Sequence, residues 1–370
     1  MFSFLFSAIL AVSIIGTINK KDGIGRQSIE LGCALDHHCD VQVVPVGTFS
    51  DLNPDELELI HQDYRTLHPI VFVNMALPEI PYIVENLKKY RRDGQIFACY
   101  TMIESSLIDP HFAEALNFFD YVVVPDPFLI EVFENSGVKS KMKVIPLGLN
   151  LAPFLRVPLK SLPQEVFVFG NYSAAIFRKD QLKLIQAFEK KFKNNAKVKL
   201  LIQCRGGDWD CVGVIEAYIK EHGLKNVEFS VQLRSASEYL EMFQKTDCYV
   251  SPSLGEGFSI QPREAMALGI PVIVSPNSGQ KTIAESGYAL FTKTQTLVPA
   301  TYSDALAFFE MGHMWESDVD ELAEQMEDLY LNYGKYFKDG KHRRKWAMQY
   351  DFHRGTTTKK FVEFIRELEK

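Results

Sequence analysis

Glu256 and Glu264 stand eight positions apart in a segment suited to a ligand that carries phosphate. The glycines on either side of Glu256, Gly255 and Gly257, let the backbone approach a ligand closely. A helix is predicted to begin at Ser259, a candidate N-cap, and the free N–H groups of its first turn favour a phosphate. Glu264 then lies about two turns along this helix, where it reaches a second part of one extended ligand. On spacing alone, an ordinary exposed helix carboxylate remains the alternative for Glu264.

The elements around this segment follow the pattern of parallel sheets covered by helices, because short apolar runs alternate with amphipathic stretches along the chain. The first series of predicted strands is Ala8–Ile15, Val41–Val46, Ile70–Asn74, Ile96–Thr101, Tyr121–Val124 and Lys143–Pro146. The second series is Glu165–Phe169, Val198–Gln203, Val227–Val231, Cys248–Ser251 and Pro271–Val274. Predicted helices include Arg26–Leu35, Pro81–Arg91 and Phe128–Ser136, with three more from about Asp318, the last being Thr356 to Leu368. Gly148 to Pro163 is the predicted linker, and two such halves imply a cleft in which ligands lie at the carboxyl ends of strands.

Length, composition and net charge limit the classes of protein to which this chain can belong. The chain has 370 residues, of which 46% are hydrophobic and 24% charged, as is typical of a soluble globular protein with two domains. A formal net charge of −7 argues against a nucleic-acid partner, since such proteins carry an excess of Lys and Arg. The six cysteines contain no Cys-x-x-Cys pair and are expected to be buried thiols in a reducing compartment. No His, Asp and Glu grouping has the spacing of metal ligands.

The amino terminus is apolar from Met1 to Ile15. It lacks a basic start and is shorter than the ~20 residues of a spanning helix, so its second half is predicted to be a buried strand. Membrane contact by Met1 to Phe6 stays open as an alternative.

The segment Ser251 to Ser275 resembles the Glu-seven-residues-Glu signature of retaining glycosyltransferases of the GT-B fold, a family with many bacterial polysaccharide and lipopolysaccharide sugar transferases. The resemblance implies two Rossmann-like, doubly wound domains that face a central cleft: residues 1–150 for the acceptor and 151–345 for the donor. Residues 346–370 are expected to return as a helix to the first domain. By the same resemblance, Glu256 contacts the donor sugar and Glu264 the ribose. The amides of Gly257, Phe258 and Ser259 lie near the diphosphate and sugar.

Three other motifs extend the resemblance. Gly23 and Gly25 resemble a Gly-rich loop that closes over the donor phosphates, although such a pair is equally often a strand-to-helix turn. Phe177 to Asp180 resembles the donor-diphosphate segment, with Arg178 and Lys179 as its cations. Nucleotide choice is expected near Leu233 and Arg234. The residues expected on the acceptor side, beside the reaction centre, are Tyr100, Thr101, Glu104 and Ser105.

Two departures from the family pattern affect these assignments. Asn171 stands where many relatives have Arg, so Arg178 is expected to supply the second positive charge; a solvated residue at a helix start is the alternative. None of the nine His lies in the first-domain loop where relatives use one. Glu104 is the nearest titratable candidate there, with Thr101 and Ser105 as hydroxyl partners, and a structural ion pair across the cleft is its alternative role.

The function expected from the resemblance is transfer, with retention, of a hexose-type sugar from a UDP- or GDP-sugar to a glycan, lipid-linked or protein acceptor. Neither a metal nor a bound cofactor is expected, and the leading catalytic candidates are Glu256, Lys179, Arg178 and Glu104. The expected location is cytoplasmic, with peripheral membrane contact as an alternative. Two rivals remain: a catalytically silent GT-B partner subunit, and a nicotinamide-dependent oxidoreductase, which Ser28 at the third glycine position disfavours.

Overall fold

The computed structural model describes residues 10–18, 23–161 and 165–369. The proposed membrane contact of Met1 to Phe6 lies outside the described residues. The chain forms two compact units. The first contains the described residues up to Met102, together with Asp109–Asn150 and the chain from Tyr350 onward; the second contains Ile103–Ile108 and Leu151–Gln349. The short segment Ile103–Ile108 therefore belongs to the second unit although both of its neighbours along the chain belong to the first.

The first unit is a parallel sheet with helices between its strands. In its described part the strands are β1 (Ala11–Gly16), β2 (Asp40–Pro45), β3 (Ile70–Asn74), β4 (Ile96–Tyr100), β5 (Tyr121–Val124) and β6 (Lys141–Val144). They pair in the order β2-β1-β3-β4-β5-β6, which reverses direction between β1 and β3. The intervening helices are α1 (Gly23–Asp36), α2 (Pro54–Glu58), α3 (Ile80–Leu87), α4 (Pro110–Leu116) and α5 (Phe128–Asn135). Every residue of β3 is buried, as expected for a central parallel strand covered on both faces.

The second unit repeats this architecture with a different strand order. Its helices are α6 (Ala152–Arg156), α7 (Gln181–Phe192), α8 (Trp209–Glu221), α9 (Ala236–Lys245), α10 (Ile260–Ala267) and α11 (Ser278–Ala284). The strands of its main sheet are β7 (Phe167–Asn171), β8 (Val198–Cys204), β9 (Val227–Val231), β10 (Cys248–Ser251), β11 (Val272–Val274) and β12 (Leu290–Phe291). They pair in the order β9-β8-β7-β10-β11-β12, the dinucleotide-fold order, which reverses between β7 and β10.

A small antiparallel sheet and four helices complete the chain. The sheet pairs β13 (Gln295–Pro299) with β14 (His313–Ser317), and neither strand was among the predicted ones. The helices are α12 (Val319–Leu331), α13 (Tyr333–Phe337), α14 (Gly340–Ala347) and α15 (Thr357–Leu368). The prediction of three helices here is wrong because the backbone leaves the helical conformation at Asn332 (φ −110°, ψ 27°) and separates α12 from α13. In the first unit, α15 packs Phe361 against Phe72 and Tyr100, at ring-centroid distances of 5.6 and 5.7 Å.

Several sequence predictions can be compared directly with these elements. Ile70–Asn74, Tyr121–Val124, Val227–Val231 and Cys248–Ser251 have the predicted bounds. The first helix begins at Gly23 rather than Arg26, so Gly23 and Gly25 lie in its first turn and not in a preceding loop. The predicted linker, Gly148 to Pro163, contains α6, and its last two positions, 162 and 163, lie outside the described residues. The six cysteines, all of them described, are free thiols, four buried and two half-buried. No helix within the described ranges is long and apolar enough to cross a membrane.

Candidate functional site

The candidate site lies in the second unit, at the carboxyl ends of β7 and β10, where the strand order reverses. After β7 the chain runs to a 3₁₀ turn, Phe177–Lys179, and after β10 it runs through the Gly-Glu-Gly loop to α10. The Leu254 amide donates to the Arg178 carbonyl at 2.9 Å and ties the two loops together. The topology thus brings Arg178 and Lys179 beside Glu256 although 77 positions separate Lys179 from Glu256.

Glu256 is a buried carboxylate held by two cations. Its Oε1 is 2.5 Å from the Lys179 ammonium, and its Oε2 is 3.3 Å from Nη1 of Arg178. The Ser253 hydroxyl donates to Oε1 at 2.8 Å, and Arg178 also donates to the Gly255 carbonyl at 2.6 Å. Burial raises the pKa of Glu256, but Lys179 and Arg178 outweigh it and hold that pKa below its usual value. Glu256 is therefore ionised at neutral pH, and the two cations are fixed in place by it.

The backbone around Glu256 is also fixed. Its amide donates to the Ser278 hydroxyl at 2.8 Å, and its carbonyl accepts from the Gly279 amide at 2.8 Å. Ser278 (φ +43°) and Ser259 (φ +68°) both adopt the left-handed region, where non-glycine residues are strained. The expected N-cap role of Ser259 is only half right: it precedes α10, but its side chain makes no cap. Its hydroxyl oxygen instead accepts from the side-chain Nε2 of Gln280 at 3.0 Å.

Glu264 lies in α10 and is only 2% exposed, so the alternative of an exposed helix carboxylate is wrong. The hydroxyl of Tyr239, on α9, donates to its Oε2 at 2.7 Å. Arg234 lies just before the N-cap of α9, Ser235, and its Nη1 is 3.5 Å from Glu238. The helix α9 thereby connects Glu264, expected to bind the ribose, with Arg234, expected near the nucleotide base. Sequence reasoning missed Tyr239.

Glu104 and Arg178 form an ion pair inside the second unit. The Arg178 Nη2 is 2.9 Å from Glu104 Oε1, and both side chains are mostly buried, at 22% exposure for Glu104 and 12% for Arg178. Burial lowers the pKa of Arg178, but Glu104 and Glu256 outweigh it and raise that pKa above its usual value. The alternative of Arg178 as a solvated residue is therefore wrong. Arg178 lies between two carboxylates, while Asn171 uses its amide to donate to the Val250 carbonyl at 2.7 Å.

Tyr302 completes this cluster and was also missed from the sequence. It follows β13, and its hydroxyl shares its single proton between two acceptors, Glu104 Oε2 at 3.4 Å and the Ser105 hydroxyl at 3.1 Å. Burial, assisted by Glu104, raises the pKa of Tyr302 well above its usual value, so the phenol stays protonated and donates. No signal in the sequence marks Tyr302, because it contacts residues almost two hundred positions away.

Four more of the predicted residues, Gly23, Gly25, Tyr100 and Thr101, lie in the first unit. Gly23 and Gly25 lie in α1. The Tyr100 ring is buried, and its hydroxyl donates to the Ile145 carbonyl at 3.0 Å. Thr101 is buried at the end of the same strand, and its amide donates to the Val123 carbonyl at 3.3 Å. Their roles toward a donor or an acceptor stay predictions. In the part of the chain that the structure describes, no group of three or more His, Cys, Asp or Glu is arranged to hold a metal ion.

A cavity of about 230 Å³ adjoins the ion pair between Glu104 and Arg178. Its walls come from four stretches of the second unit, and most of the residues that form them are of polar types. They are Glu104, Ile176, Phe177, Arg178, Asp208, Thr301, Tyr302, Ser303 and Asp304.

Comparison with known proteins finds similarity both in the second unit and over most of the chain. Residues 160–308 match the family described as Glycosyl transferases group 1. The chain is 20% identical over 297 residues to the alpha-monoglucosyldiacylglycerol synthase of Streptococcus pneumoniae, a match that covers 75% of this chain and 67% of that protein.

Solved structures resemble the whole chain. One is Anabaena HepE in complex with UDP-glucose, with a TM-score of 0.70, 16% identity and coverage of 96% of this chain and 99% of that one. Another is sucrose-phosphate synthase from Thermosynechococcus elongatus, with a TM-score of 0.70, 16% identity and coverage of 97% and 99%. These likenesses, with the two parallel sheets, confirm the predicted GT-B fold of two Rossmann-like domains.

Proposed function

We propose that the chain is a retaining glycosyltransferase that moves a hexose-type sugar from a UDP- or GDP-sugar to a glycan, lipid-linked or protein acceptor. The observation that carries the proposal is the buried pair of cations, Arg178 and Lys179, held by Glu256 at the strand-order reversal of the unit that matches the glycosyl transferases group 1 family. The Anabaena relative is described in complex with UDP-glucose, which supports a UDP-sugar. The pneumococcal relative is named for a glucosyl lipid product, which supports a lipid-linked acceptor.

In the proposed reaction the donor diphosphate binds at Arg178 and Lys179. Two preorganised cations stabilise the negative charge that develops on the departing nucleoside diphosphate. They take the part that a metal ion plays in other enzymes. Glu256 positions the sugar hydroxyls, and Glu264 binds the ribose. Glu264 suits this role because Tyr239 fixes its carboxylate through Oε2.

Retention is proposed to follow front-face attack, in which the leaving phosphate accepts the proton of the acceptor hydroxyl. A double displacement needs a carboxylate that is free to attack the anomeric carbon. Both oxygens of Glu256 are engaged: Oε1 by Lys179 and Ser253, and Oε2 by Arg178. A covalent sugar–enzyme adduct trapped on any carboxylate of this chain would refute this mechanism.

Donor binding is tested by thermal unfolding in the presence of UDP-, GDP- and ADP-sugars. A ligand at 100 times its Kd stabilises the folded state by roughly 2.7 kcal/mol, so at least one of them should raise the midpoint clearly. If none of them does, the proposed donor site is wrong.

Transfer is tested with the Glu256→Gln and Lys179→Ala variants, assayed for donor hydrolysis and sugar transfer. Each is expected to lower the rate at least about a hundredfold, because each removes a group aimed at the reacting end of the donor. Lys190→Ala is the matched control, since Lys190 pairs with Asp320 on the surface and should leave the rate unchanged. A parent chain that binds donor but never hydrolyses or transfers it would favour the silent partner subunit instead.

A further inference from the structure

The cluster around Arg178 is already electrically balanced before any donor arrives. Two cations, Arg178 and Lys179, face two carboxylates, Glu104 and Glu256. A diphosphate brings further negative charge to the same cations. Like charges brought together in a partly buried site repel strongly, because the low local dielectric screens them poorly. Either one of the carboxylates moves away from the cations when the donor binds, or its presence weakens donor binding.

The two carboxylates are held very unequally. Glu256 accepts from Lys179, Arg178 and Ser253, and its backbone is tied to Ser278 and to the Gly279 amide. Its side chain is 8% exposed. The Glu104 carboxylate is 2.9 Å from Arg178, receives one long hydrogen bond of 3.4 Å from Tyr302, and is 22% exposed. Glu104 is therefore the carboxylate that a phosphate can replace at Arg178.

The surroundings of Glu104 allow it to leave without disturbing the fold. It lines the cavity of about 230 Å³, so its side chain has space to turn away from Arg178. Its backbone stays anchored in the second unit, because Ser106 exchanges two hydrogen bonds of 2.9 Å with His313. Close backbone packing against Gly255 also holds it, since a Cβ at that glycine would overlap the Glu104 carbonyl oxygen.

We propose that Glu104 is a built-in competitor of the donor diphosphate for Arg178, and that Tyr302 is the positioning residue that keeps it there. The idea rests on the proposed function and specifies how the affinity of that same site is set. The Arg178 guanidinium stays oriented between two carboxylates when the donor is absent, and it exchanges Glu104 for phosphate when the donor binds. Nucleoside diphosphate affinity is therefore kept below the value that the two cations alone would give, which favours release of the product diphosphate.

The test is calorimetric titration of UDP, GDP and ADP, separately, into the full-length chain and its variants. Glu104→Gln keeps the shape of the side chain and removes its charge, so the nucleoside diphosphate that binds the parent should bind this variant about tenfold more tightly, or about 1.4 kcal/mol. Tyr302→Phe should tighten binding by a smaller factor, because it loosens Glu104 but leaves its charge. A residue with a merely structural role would weaken binding when replaced, so the sign of the change separates the two explanations.

A control on the surface sharpens the result. Glu228→Gln removes an equal charge from an exposed pair with Lys199, and it should stay within about twofold of the parent, well below the expected gain. Unchanged or weaker binding in Glu104→Gln overturns the inference while leaving the proposed function intact. If Glu104→Gln does not fold, Tyr302→Phe decides the same question by the same sign. If no nucleoside diphosphate binds the parent or any variant, the proposed function itself fails, and the inference with it.

Discussion

Asp180 stores strain next to the cations of the site. It lies between Lys179 and α7 in the left-handed conformation (φ 51°, ψ 40°), which favours glycine and is tolerated by Asp and Asn. Burial raises the pKa of its carboxyl to about 6, in spite of Lys183, whose ammonium is 3.3 Å away and also pairs with Glu316. A buried acid with a raised pKa destabilises the folded state once it ionises.

Replacing this carboxyl should therefore stabilise the protein at high pH only. Protonated Asp180 contributes its full stability below the unfolded pKa near 3.8, and that contribution is lost as pH rises through about 6. Asp180→Asn should match the parent at pH 4 and unfold at a higher temperature at pH 8, by an amount equivalent to about 1–3 kcal/mol. Thermal unfolding at both pH values measures this difference.

Asp51→Asn is the matched control for this change. Asp51 has the same left-handed backbone (φ 64°) but is exposed, so its replacement should behave alike at both pH values. A stability gain for Asp180→Asn that is equal at pH 4 and pH 8 would contradict the role given to its ionisation.

At the scale of elements, the contact between the Gly-Glu-Gly loop and the start of α11 fixes the path of the loop that carries Glu256. A Cβ at Gly279 would lie 2.7 Å from the Glu256 carbonyl oxygen and 2.8 Å from the Gly257 carbonyl. These are backbone atoms, so the loop itself must shift if Gly279 gains a side chain. The same loop positions the Glu256 carboxylate against Lys179 and Arg178.

Gly279→Ala should consequently impair donor binding rather than only stability. We expect at least about tenfold weaker binding of the nucleotide sugar, with destabilisation of roughly 1–3 kcal/mol from overpacking. Gly213→Ala is the control: at Gly213, in α8, an added methyl group would meet none of the described atoms within 4 Å, so Ala should stabilise the helix by roughly 0.5–1 kcal/mol. Equal donor affinity in both variants, measured by calorimetry, would show that α11 does not position the loop.

At the scale of the whole molecule, the first unit depends on the end of the chain. Phe361 of α15 is fully buried and packs on the rings of Phe72 and Tyr100, which belong to adjacent strands. The sheet of the first unit is therefore covered in part by residues almost three hundred positions away from Phe72. Such packing couples the stability of this unit to its last helix.

Phe361→Ala should lower stability by roughly 3–5 kcal/mol, because it removes a buried ring and leaves a cavity. Phe308→Ala is the control, since Phe308 is 90% exposed and its loss should change stability by no more than about 0.5 kcal/mol. Thermal unfolding compares the two. A Phe361→Ala variant as stable as the control would mean that α15 contributes little to the first unit.

Much of the fold follows from local residue patterns. Ile70–Asn74 is an apolar run, typical of a buried central strand, whereas Val227–Val231 alternates apolar and polar residues, typical of a partly exposed strand. The Rossmann-like second half, the Gly-Glu-Gly loop and the position of Glu256 before α10 were predictable because each depends on residues that are close together in the sequence. The extra break at Asn332 and the antiparallel pair β13 and β14 were not, because short elements carry weak periodic signals.

The sequence by itself made Glu256 and Glu264 candidates for one ligand through loop chemistry and helix spacing, which are local properties. Arg178 and Lys179 became candidates for the same ligand through the resemblance to the GT-B family. Only the tertiary structure decided how they are paired. Arg178 lies between Glu104 and Glu256, and Tyr302 holds Glu104 across a separation of 198 positions. The paths of two loops and a small antiparallel sheet create these contacts, and no local pattern encodes which side chains such paths bring together. The charge balance that sets the proposed donor affinity is therefore a property of the folded chain alone.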